Sequence, residues 1–83
     1  MEKILVHLSV PSVGVEYDAF VPGDLAIEKL IGVLASGVSD LSSGRYESSG
    51  RESLIARDPS RLLDPEKTLH DYGLHDGAGL MLL

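Results

Sequence analysis

Two runs of alternating residues, separated by a four-residue turn, constrain this chain more than any other feature of its sequence. Ile4, Val6, Leu8 and Val10 fall on one face, with Lys3, Leu5, His7 and Ser9 on the other. That period of two is the pattern of a half-buried strand. Pro11, Ser12 and Gly14 supply a turn, and the second run sets Val15, Tyr17, Ala19 and Val21 against Glu16, Asp18 and Phe20. If residues 10 and 15 pair across the turn, the next inward partners are 8–17, 6–19 and 4–21. Every inward residue then meets an inward residue, whereas a one-residue slip would turn a whole set to the wrong face. On the outer face the same register places Leu5 opposite Phe20 and His7 opposite Asp18.

A helix is expected next. Pro22 and Gly23 end the strand, and Asp24 is positioned as an N-cap with its charge at the favourable end of the helix dipole. Ile27, Leu30, Ile31, Leu34, Val38 and Leu41 follow the i, i+3, i+4, i+7 spacing of one apolar stripe. Gly32 and Gly37 each weaken the helix by up to ~1 kcal/mol relative to alanine, so packing on a sheet must hold it. Residues 42–52, "SSGRYESSGRE", read as a mobile loop. "SLIARD" is a short third strand ended by Asp58-Pro59, and "RLL" a brief fourth, followed by the turn "DPEK". "TLHDYGL" makes one helical turn around Leu69 and Tyr72, with Gly73 as a left-handed stop. "HDGAG" is a turn and "LMLL" the last strand. The order is ββαββ with a short helical turn before the final strand. With no repeat and no linker, residues 1–83 are expected to form one α+β domain.

Composition narrows the function classes. A chain of 83 residues buries only about 60–65% of its unfolded surface, and with one Phe and no Trp its core must be aliphatic. The absence of cysteine excludes disulfides and thiolate metal sites, and fits a cytoplasmic location. A formal net charge of −6, with seven scattered basic residues, argues against nucleic acid as a partner. "MEKILVHLSV" is too short an apolar run for a signal peptide or a spanning helix, so no direct membrane insertion is expected.

No arrangement of residues builds a catalytic or metal site, and no cofactor is implied. His70 and His75 flank the helical turn without a third ligand fixed nearby, so surface histidines are the expectation. No nucleophile converges on the His7–Asp18 pair, which reads as a cross-strand polar contact. "HDGAG" and "SSGRYESSG" lack the strand–loop–helix frame and the lysine of a phosphate loop. Asp71 and Asp76 are expected to cap their local turns. The chain is read as a non-enzyme.

The element order, together with Thr68-Leu69-x-Asp71-Tyr72-Gly73-Leu74 and Leu80-x-Leu82, resembles the β-grasp arrangement of ubiquitin. "VPSVGVEYDAFVP" and "LLDPEKTLHDYGLHDGAGLMLL" are most similar to the YukD/EsaB family, small bacterial ubiquitin-like proteins associated with type VII (WXG100) secretion systems. The resemblance implies a mixed sheet packed on one main helix, with the last strand central and parallel to the first. Leu80 and Leu82 then belong to the core, each contributing roughly 1.5–3 kcal/mol by burial. It also implies that the Tyr72 hydroxyl bonds the backbone of the preceding loop.

In that strand order the outer-face residues Leu5, Phe20, Ile55, Met81 and Leu83 are expected to form a nearly continuous apolar stripe, on the face that ubiquitin presents to its receptors. Such a stripe reads either as ordinary surface or as an interface. Tyr46, an aromatic in the serine loop with no evident structural role, is a further candidate contact. The resemblance implies docking on a protein partner, either a type VII secretion component or a second copy of the chain. Ubiquitin and the sulfur carriers ThiS and MoaD run on to a di-glycine, where this sequence has Leu83. Conjugation or sulfur transfer is therefore the alternative, and a purely structural β-grasp module is a third reading.

Overall fold

The computed structural model describes residues 3–46, 51–57 and 60–83. Strands β1 (Lys3–Val10) and β2 (Val15–Pro22) form an antiparallel hairpin. Its register is the expected one, with Val10 opposite Val15, Leu8 opposite Tyr17, Val6 opposite Ala19 and Ile4 opposite Val21. The turn closes through the Gly14 N–H, which donates to the Val10 carbonyl at 3.0 Å. Gly14 has φ +66°, a left-handed conformation that costs glycine least.

Helix α1 (Ile27–Leu41) crosses the inner face and buries Ile27, Leu30, Leu34, Ala35 and Val38. Two details depart from the expectation. The residue at the N-cap position is Ala26 rather than Asp24, and no side chain caps the helix. Instead the N–H groups of Ile27 and Glu28 donate to the carbonyls of Lys67 and Pro65, at 2.8 and 2.9 Å. A distant loop thus satisfies donors that any helix start leaves orphaned. Leu41 continues the apolar stripe in sequence but is 67% exposed, because the helix ends there and the chain turns away at Ser42.

Strands β3 (Leu54–Ala56), β4 (Arg61–Leu62) and β5 (Ala78–Leu82) complete a mixed sheet in the order β2-β1-β5-β3-β4. β5 runs parallel to β1, with Leu80 beside Leu8, and antiparallel to β3, with Leu80 beside Ala56. Leu80 and Leu82 are fully buried in one core cluster with Val6, Leu8 and Leu54 of the sheet and Leu30 of α1. The chain end is held as well, since Leu83 and Ser53 exchange backbone hydrogen bonds of 2.8 and 2.9 Å. The closing leucines are therefore the middle of a sheet rather than a tail.

The 3₁₀ turn His70–Tyr72 precedes β5 and ends at Gly73, which has φ +69°. The Asp71 carboxylate accepts the Thr68 N–H and the Thr68 hydroxyl accepts the Asp71 N–H, a reciprocal cap. The Tyr72 hydroxyl accepts the Asp64 N–H at 2.8 Å, bracing the loop that caps α1. Asp76 does more than cap its own turn, because its carboxylate accepts the Leu5 N–H at 2.8 Å and ties that turn to β1.

Tyr46 corrects a further expectation. It is 6% exposed and packs in the core cluster. Its hydroxyl donates to Glu52 at 2.9 Å and its N–H donates to the Ser42 hydroxyl. Residues 47–50 of that loop, and the Asp58-Pro59 pair expected to end the third strand, lie outside the described residues. Burial, then the bond to Glu52, pushes the Tyr46 phenol up to about 12. An unfolded tyrosine ionises near 10, so between those values the unfolded chain has lost a proton that the folded one keeps. Stability must fall over that window as pH rises. An ultraviolet titration at 295 nm should show a tyrosinate step near pH 12 that disappears in Tyr46→Phe.

Candidate protein-interaction surface

Alternation along the strands and the pairing register together fix what the outer face of the sheet presents. Three of its rows bear on the expected stripe. The first holds Phe20 and Leu5. The second runs Asp18, His7, Gly79 and Arg57, the last paired to Gly79 through a 3.0 Å backbone hydrogen bond. The third runs Glu16, Ser9, Met81, Ile55 and Leu62. Leu83 lies two residues beyond Met81 on the same face.

The expected continuous stripe is therefore broken. Leu5 lies at the level of residue 77 and Met81 four residues further along, so about 13 Å of strand separates them. The intervening row carries two titratable groups, an arginine and a glycine. Over Gly79 the Arg57 stem fills the space a side chain would take, with its Cβ 3.5 Å from where a glycine Cβ would stand. Ile55, Met81 and Leu83 remain together, while Leu5 and Phe20 are left at the other end of the face. Leu62 joins the first group, being opposite Ile55 on β4 and 67% exposed. Its face was unreadable in the sequence, because a two-residue strand has no alternation to follow.

The resulting patch of Ile55, Leu62, Met81 and Leu83 is graded. Ile55 and Met81 are half-buried and Leu83 is 53% exposed. Its members come from three adjacent strands whose opposite faces are anchored by Leu54, Ala56, Leu80 and Leu82. An apolar group on such a rigid support loses little conformational entropy when a partner covers it.

The polar row has its own chemistry. The His7 ring bridges two carboxylates on β2, with Nδ1 2.7 Å from an Asp18 oxygen and Nε2 2.5 Å from a Glu16 oxygen. The expected pair was His7–Asp18; Glu16, one register step along the same strand, is the addition. Both ring nitrogens carry a proton when both bonds are made. The bonds to Asp18 and then Glu16 raise the His7 pKa above 6.5, against a small opposing loss of hydration. Because the folded value is the raised one, this contribution is complete below about pH 6.5 and is lost as pH rises through the folded value. NMR titration of the His7 ring should show a midpoint above 6.5 that falls in Asp18→Asn and falls further when Glu16→Gln is added.

Among the described residues no three His, Cys, Asp or Glu side chains gather as a metal site would require. No helix among them is long and apolar enough to cross a membrane.

Among solved structures, the ubiquitin-like domain of Dsk2 from Plasmodium falciparum superposes with a TM-score of 0.69 at 19% identity, covering 99% of this chain and 100% of that one. The fold is ubiquitin-like. The ubiquitin-like domain of the Mycobacterium tuberculosis type VII secretion system protein ECCD1 gives 0.67 at 22% identity, covering 100% and 99%. A chain of the ESX-5 inner membrane complex, free of MycP5, gives 0.71 at 19% identity; there this chain is covered entirely and spans 21% of the other. No protein-family model matches the sequence, and no curated protein matches it.

Proposed function

We propose that this ubiquitin-like domain works by non-covalent docking, as a cytoplasmic accessory or regulator of a type VII secretion apparatus, with no catalysis of its own. The observation that carries the docking reading is the patch of Ile55, Leu62, Met81 and Leu83, held on the rigid β4-β3-β5 end of the sheet. The secretion reading is supported by the resemblance of residues 10–22 and 62–83 to the YukD/EsaB family. The fold shared with ECCD1 and with part of the ESX-5 complex is compatible with it.

The test is an affinity pull-down from the source cell's lysate, with an Ile55→Asp/Leu62→Asp variant run beside the wild type. Both baits are first shown to fold by circular dichroism. Recovery of secretion components by the wild type alone supports the proposal. Equal recovery by both baits places docking elsewhere, and recovery by neither removes the secretion role.

A further inference from the structure

Gly79 leaves a gap in the middle of the outer face, between His7 of β1 and Arg57 just past the end of β3. The Arg57 stem lies in that gap. Its Cβ, Cγ and Cδ stand 3.5, 3.9 and 3.6 Å from where a Cβ on Gly79 would be. A Cβ alone would make ordinary contact at those distances, but atoms beyond it would meet the stem. The glycine therefore lets a long cationic side chain lie down on the sheet, its apolar stem covered and its head in water.

Arg57 as a whole is exposed, and among the described residues no carboxylate pairs with it. It also stands beside the docking patch. Arg57 follows Ile55 by two positions, about 7 Å along the same face, and Ile55 pairs with Met81 and Leu62. The far end of the sheet has the opposite sign. There Asp18 and Glu16 hold His7, on a strand three spacings from β3, or about 14 Å away.

The sequence distributes charge the same way. Residues 45–67, which supply β3, β4 and their flanking loops, hold five basic and five acidic residues, so the net −6 is carried by the rest of the chain. An acidic partner is thus repelled least at this end of the sheet. A guanidinium takes a carboxylate through two parallel N–H···O bonds. With the stem already laid over Gly79, little rotamer freedom is left to lose on binding. A partner covering Ile55 and Met81 would also exclude water from one side of the pair and strengthen it.

We infer, on the docking reading above, that the partner protein presents an Asp or Glu beside its apolar contact residues, and that Arg57, laid over Gly79, is the residue that selects it. A second copy is the poorer occupant. Its outer-face carboxylates on β2 are already bonded to His7, and two chains of net charge −6 repel each other.

The probe is a phage-displayed library of random peptides, panned against the full chain. The wild type should enrich Asp or Glu next to apolar residues. Arg57→Gln should keep the apolar preference and lose the acidic one. Gly79→Thr should do the same, because its γ atoms displace the stem. Threonine suits a strand better than glycine, and circular dichroism checks that both variants fold. A selected peptide should bind the wild type about tenfold or more weakly once its acidic residue is made the amide. That discrimination should vanish in Arg57→Gln and return only in part in Arg57→Lys, whose ammonium cannot make the paired bond. Acidic enrichment that survives Arg57→Gln would overturn the inference. Apolar enrichment without acidic residues, lost in Ile55→Asp/Leu62→Asp, would overturn it while leaving the docking patch standing. Enrichment indifferent to Ile55, Leu62 and Arg57, or none at all, would overturn both readings. A peptide-free dimer in sedimentation, abolished by Arg57→Gln, would give the site to a second copy and overturn the inferred occupant.

Discussion

Leu80→Ala is expected to remove about 2–5 kcal/mol of folding stability, the range for truncating a fully buried leucine. The upper half of that range applies, because Leu80 is wholly inaccessible and sits between Leu8 and Ala56 in the middle of the sheet. Ala56 is already small, so the β3 side offers no side chain to collapse into the space. A domain of this size has about 4–12 kcal/mol in total, which makes the loss a large fraction of it. Thermal unfolding should move down by roughly 12 °C or more. The neighbouring Met81→Ala, on the outer face of the same strand, is expected to cost less than about 1 kcal/mol by comparison. Equal losses at the two positions in urea titrations would show that β5 is not facing as described.

The second large effect concerns docking. Ile55→Asp/Leu62→Asp puts two carboxylates where a partner is expected to exclude water. Central interface residues cost 2 kcal/mol or more when altered, and two charges left unpaired add their desolvation. Binding should weaken about 100-fold or more in isothermal titration with the captured partner. Folding stability should fall by less than binding does, since Leu62 is exposed and Ile55 only half-buried. Leu5→Asp, beyond the polar row, is expected to leave that affinity within about threefold. A Leu5→Asp effect as large as the double variant's would mean that the two apolar groups act as one surface after all.

How much was legible in the sequence differs by element, for physical reasons. The hairpin was readable to the residue because both of its strands alternate and a short turn permits one sensible register. Tyr72 and Gly73 were readable because their roles are local, one bracing a nearby loop and the other adopting a left-handed φ. The start of α1 was not readable, because its caps are carbonyls of Lys67 and Pro65, about forty positions away. The division of the outer face was hidden for a related reason. It depends on the parallel register of β1 with β5, which sets Gly79 beside His7, and no pattern within either strand reveals that offset. Tyr46 was misjudged because its surroundings are polar in sequence, while its ring reaches the core and its hydroxyl finds Glu52.

The docking account is tested most directly by recording backbone amide NMR of the isotope-labelled domain with and without the captured secretion component. Line broadening and shift changes confined to Ile55, Leu62, Met81, Leu83 and their immediate neighbours are the expected result. Perturbations centred on Leu5, on the helix or nowhere at all would contradict it.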